Sequence, residues 1–130
     1  MKIWIIFFFS AAIQLSFGQK VEIAFRIPEK DLIPEGITYN PSTKTFYVSS
    51  ISKRKIVSVD EQVRIKDFIS SGQDGIGEVL GLKVAEGKLW ACNNLTGDSS
   101  KQAMVHEYDL ENGKLIREKK WEETIPRDHQ

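Results

Sequence analysis

Short stretches of alternating apolar and polar residues recur along most of this chain, each closed by a cluster of turn formers. Val21 to Ile27 (VEIAFRI) alternates in this way and is ended by Pro28. Ile37 to Tyr39 follows, then the cluster Asn40-Pro41-Ser42-Thr43-Lys44, then Thr45 to Ser50 (TFYVSS). Lys55 to Asp60 (KIVSVD) and Ile65 to Ile69 (IKDFI) continue the series. A period of two over four to six residues, bounded by Pro, Asn, Ser and Gly, predicts antiparallel strands joined in a meander.

The pattern then repeats. Leu80 to Val84 answers Glu35 to Tyr39, and Lys88 to Cys92 answers Thr45 to Val48, with Glu86-Gly87 as the turn. Val105 to Asp109 answers Val57 to Asp60, and Leu115 to Lys119 answers Ile65 to Ile69. The glycines at 36 and 81 and the aspartates at 60 and 109 mark the same places in the two halves. Four short strands recurring every ~40–50 residues predict β-propeller blades. The expected fold is all-β: a partial propeller of about two four-stranded antiparallel blades, one over about 33–70 and one over about 78–120, within a domain spanning 19–125. Residues 126–130 form a tail. A small β-sandwich shares the strand spacing, but its turns need not repeat in the same order.

The N-terminus bears on location. Lys2 precedes the apolar run Ile3 to Phe9 and Ala11-Ala12-Ile13, and Ser16-Phe17-Gly18 offers small residues before Gln19. This predicts a signal peptide over 1–18 and a secreted or periplasmic mature chain, the run being short for a membrane span. Its removal leaves 112 of the 130 residues and no further segment able to cross a membrane. The whole chain carries 18 basic and 18 acidic residues, a balance that gives no reason to expect nucleic acid as partner. The single cysteine, Cys92, excludes an intrachain disulfide and lies in an apolar run that predicts burial.

Other groups have modest readings. Ser71 to Glu78 is glycine-rich but lacks the spacing of a phosphate or dinucleotide loop, and reads as the connection between blades. Asn93-Asn94 reads as a turn that could alternatively offer carboxamide oxygens. His106 reads as a half-exposed strand residue, and neither it nor His129 has partners spaced for a triad or zinc site. Lys53-Arg54-Lys55 reads as a solvated turn, Trp90 and Tyr108 as strand cores, and Trp121 as exposed in a polar tail.

Pro34-Glu35-Gly36-Ile37-x-Tyr39, the Asn40-Pro41…Phe46-Tyr47-Val48-Ser49 strand and Ile56-x-x-Val59-Asp60 together resemble the senescence-marker-protein, gluconolactonase and luciferin-regenerating-enzyme family. The likeness spans roughly residues 21–120. It implies a six-bladed propeller that binds one divalent cation, usually calcium, at the top of its channel and hydrolyses a lactone or ester. It also implies that Glu35 is a metal ligand, and that Val21–Ile27 closes the ring against a last blade. The remaining family ligands, two Asn and an Asp, come from later blades, and no residue here matches them. Leu80 stands where a second Glu35 would be. Six blades of ~45 residues need about 270 residues, so the resemblance implies a truncated or shortened member, inactive by itself. The alternative is a non-catalytic secreted binding module. An open stack of two blades also exposes sheet edges, so self-association is expected.

Overall fold

The computed structural model describes residues 18–95 and 102–121, and within them the chain is all-β. Eight strands follow in order: β1 Pro34–Asn40, β2 Thr45–Ser50, β3 Lys55–Val59 and β4 Ile65–Ile69, then β5 Glu78–Ala85, β6 Lys88–Leu95, β7 Gln102–Asp109 and β8 Leu115–Lys120. Each set of four forms its own antiparallel sheet, ordered β1-β2-β3-β4 and β5-β6-β7-β8. No helix among the described residues is long and apolar enough to cross a membrane. The signal-peptide segment lies outside the described residues except for Gly18.

Turn chemistry explains why the meanders close where they do. The Asn40 side chain accepts from Ser42 N at 3.1 Å after β1. After β3, Asp60 Oδ1 accepts from Gln62 N and Arg64 N at 3.0 and 2.9 Å. After β7, Asp109 Oδ1 accepts from Glu111 N and Asn112 N at 2.8 and 3.1 Å. The two repeated aspartates therefore do the same work, holding the turn into the fourth strand by bonding the backbone ahead of them. Lys44, Arg54 and Glu86 take positive φ at hairpin ends, beside glycines such as Gly87.

The sheets pack face to face through a core of Tyr47, Ile56 and Ile69 from the first and Val79, Leu89, Ala91 and Tyr108 from the second, with Ile76 from the connection. Fully burying each large apolar side chain is worth about 1.5–3 kcal/mol. Strands β1 and β5 lie against each other at this interface. Thr38 Oγ1 accepts from Val84 N at 3.1 Å. Ser49 Oγ accepts from Gly36 N at 2.8 Å and reaches Leu80 O at 3.4 Å. A Cβ on Gly36 would meet Leu80 O at 2.6 Å, so the approach of the two strands requires glycine there.

Residues 18–33 depart from the expectation of a strand over Val21–Ile27. They pair with no sheet edge, and Val21 is 92 % exposed. The segment instead lies on the outer face of the first sheet. Phe25 sits on Phe46 with ring centroids 5.2 Å apart, and Leu32 packs with Val48 and Val57. Ile51 N donates to Ile33 O at 3.2 Å, and the Ser50 and Ser52 hydroxyls donate to Leu32 O and Asp31 O. Alternation makes a segment ready to be a strand, but only pairing with a neighbouring edge makes it one.

Candidate functional site

Glu35 lies in β1 at a one-residue bulge. The β1–β2 register slips between Pro34 and Ile37, and the β5–β6 register slips at the corresponding place between Val79 and Gly81. Glu35 and Leu80 thus occupy equivalent bulges, features that re-aim a side chain at a sheet's end. The Glu35 side chain is exposed and lines an open cleft of about 680 Å³ with Glu29 and Asp31. The walls are apolar, including Phe25, Leu32, Ile33 and Ile37. Among the described residues no group of three or more His, Cys, Asp or Glu side chains converges to hold an ion. Calcium takes six to eight oxygens, so Glu35 and its described neighbours do not supply a calcium site by themselves.

The second sheet holds two polar clusters that sequence reasoning missed. On its core face, Asn93 is a buried strand residue and not a turn. Its Oδ1 accepts from Gly77 N at 3.0 Å, which fixes the amide so that Nδ2 donates to His106 Nδ1 at 2.8 Å. His106 is 1 % exposed, against the expectation of a half-exposed position. With Nδ1 accepting, Nε2 carries the proton and donates to Asp74 O at 3.2 Å, with Glu118 Oε2 3.4 Å away. The cluster ties the Ser70–Gly77 connection to β6 and β7 and so fixes how one sheet follows the other. Tyr108 stacks on His106 at 5.9 Å, and its hydroxyl is buried without a partner among the described residues. Burial, aided by Asp74 and Glu118, pushes that phenol well above its ordinary value.

On the outer face of the same sheet, Trp90, Glu107 and Arg117 stand side by side on β6, β7 and β8. Glu107 is buried and holds Lys88 at 2.8 Å, and Arg117 through its Nε at 2.8 Å and its Nη2 at 2.5 Å. The Lys88 ammonium, with Arg117, keeps its carboxyl below the ordinary range despite burial. Arg117 and Lys88 also lie 5.8 and 6.0 Å from the Trp90 ring. Trp90 is therefore half-buried on an outer face and not in the core between the sheets. Cys92 shares that face and is exposed, contrary to the burial expected of it. Lys55, expected in a solvated turn, opens β3 and is buried between Glu29 and Asp67, each at 2.7 Å. Trp121 is exposed as expected, and His129 lies outside the described residues.

Parity was the available signal. Asn93 continues the Leu89, Ala91 alternation and His106 stands two before Tyr108, so both belong to the core face. Cys92 falls on the Trp90 face by the same rule. Comparison with protein-family models finds no match, and comparison with curated proteins finds no relative.

Proposed function

We propose that the two sheets are consecutive blades of a propeller of the senescence-marker-protein, gluconolactonase and luciferin-regenerating type, in an exported protein. The chemistry of that type is calcium-assisted hydrolysis of a lactone or ester. The observation that supports this reading is the repetition itself. Two meanders share one strand order, their first strands lie together through Gly36 and Leu80–Gly81, and both bulge where Glu35 and Leu80 stand. Innermost strands that converge in this way are how several blades deliver one oxygen each to a shared cation.

Glu35 is the arm of such a site that this chain supplies, and one carboxylate is not a site. The chain on its own is therefore expected to be inactive. The test is hydrolysis of lactones and aryl esters with and without calcium, beside calorimetric titration of calcium. No turnover, and no calcium binding tighter than millimolar, is the expected result. Calcium-dependent turnover lost in Glu35→Gln would overturn the assignment of an incomplete site.

A second reading, a non-catalytic binding module, draws support from the outer face of the second sheet. There Trp90 is flanked by Arg117 and Lys88, an aromatic and cationic surface suited to contact with a partner. Retention of partner binding in Glu35→Gln would favour it.

A further inference from the structure

The molecule presents two unlike surfaces on the outward faces of its two sheets. One is the cleft beside Glu35, with walls of Phe25, Leu32, Ile33 and Ile37 and with carboxylates from Asp31 and Glu35, the Glu29 carboxylate there being already paired with Lys55. Among the described residues no lysine or arginine lines it. Ile37 is 59 % exposed and Ile33 53 % exposed. Ile33 is also held at φ 45°, and Asp31 at φ 59°. A β-branched residue in the left-handed region is strained. Here the strain is held by the Ile51 N to Ile33 O and Ser52 to Asp31 O bonds, and it turns an isoleucine toward water. Strain kept to present an apolar side chain is a pointer to use.

The other surface is its chemical complement. Trp121 is 69 % exposed at the end of β8, where its backbone N donates to Ala103 O at 2.8 Å. It follows the exposed Lys119 and Lys120, and these three with Trp90 and Val105 line a groove of about 560 Å³. Lys83, opposite Trp90 across the β5–β6 pair, adds a further exposed cation to this face. An indole preceded by two lysines suits an apolar cleft rimmed by carboxylates. The two surfaces lie on opposite sides of the two-sheet stack, so they cannot meet within one copy.

We propose that the occupant of the Ile33–Glu35 cleft is the Lys119–Trp121 segment of a second copy of this chain, in a head-to-tail contact. This goes beyond self-association through sheet edges, since it assigns the contact to two named faces and makes it heterologous. It rests on those faces alone and not on the propeller or calcium reading.

The experiment uses the full chain, expressed for export so that the proposed leader is removed, in sedimentation velocity over a range of concentrations. Mass above that of one copy is expected, rising with concentration and falling as salt screens the charged rims. Trp121→Asp and Ile33→Asp each alter an exposed side chain, and each should sediment as a single copy with unchanged circular dichroism. Mixed, they should form a one-to-one dimer that grows no further, because each retains one intact face. A wild-type chain that stays a single copy overturns the proposal. So does association that survives either substitution, or a mixture that fails to pair. None of these readouts involves calcium or hydrolysis, so this proposal and the functional one fail separately.

Discussion

Gly36 and Gly81 hold matching places in the two halves of the sequence, yet adding one methyl group to each should have opposite effects. At Gly36 a Cβ meets the Leu80 carbonyl oxygen at 2.6 Å, Ser49 Oγ at 3.1 Å and Gly81 Cα at 3.3 Å. Two of these three are backbone atoms of the neighbouring sheet, so relief requires β1 and β5 to separate. That separation also lengthens the Ser49 hydroxyl contact with Leu80 across the two sheets. Overpacking of this kind costs about 1–3 kcal/mol. Replacing a strand glycine by alanine returns about 0.5–1 kcal/mol, so Gly36→Ala should lose up to about 2.5 kcal/mol net. At Gly81 the nearest atom is Cys92 Cβ at 3.8 Å, an ordinary contact. Only the conformational gain remains, and Gly81→Ala should be neutral or stabilised by up to about 1 kcal/mol. For a domain of this size 1 kcal/mol moves Tm by about 4–8 °C, so thermal melts followed by circular dichroism will separate the two variants. A Gly36→Ala protein that melts as high as Gly81→Ala, or above wild type, would refute the close approach of the first strands. That approach is also the ground for reading the sheets as successive blades.

Three further perturbations address the second sheet. Glu107→Gln should lower stability at neutral pH and flatten its acid dependence in urea melts. The folded carboxyl is held low by Lys88 and Arg117, so its contribution is present above the unfolded carboxylate pKa of about 4.3 and disappears as pH falls through the folded value. An unchanged acid limb would contradict the ion-pair assignment. Asn93→Ala leaves the Gly77 N–H and His106 Nδ1 buried without partners, at about 1–3 kcal/mol each. Its urea midpoint should fall accordingly, and amide exchange at Gly77 should accelerate. Tyr108→Phe removes a buried hydroxyl that has no partner among the described residues, so it should be neutral or raise stability by about 1 kcal/mol. A clear loss would mean that the hydroxyl is bonded.

Strand existence and order were written in local pattern. Alternation between turn formers placed β2 and β4 at their observed ends, and β1, β3, β5, β6, β7 and β8 within a few residues of theirs. The Asp60 and Asp109 turns were equally legible, since an aspartate bonds backbone a few residues ahead whatever packs around it. Glu35 could be singled out only by its resemblance-bearing motif, and its exposure beside Glu29 and Asp31 depends on where residues 18–33 lie.

What alternation cannot convey is which face meets what. Val21–Ile27 has the pattern of a strand but pairs with no edge, and Phe25 and Leu32 instead cover the first sheet from outside. Asn93 and His106 look polar enough for a surface, yet their parity puts them in the core, where only each other, Gly77 and Asp74 satisfy them. Cys92 looks apolar enough for a core and lands outside. The sequence by itself determined a repeated meander of eight strands, because period and turn chemistry are local. Tertiary structure decided the partners: a buried polar group is stable only where bonds reach it, and a sheet face is inner or outer only once a second sheet lies against it.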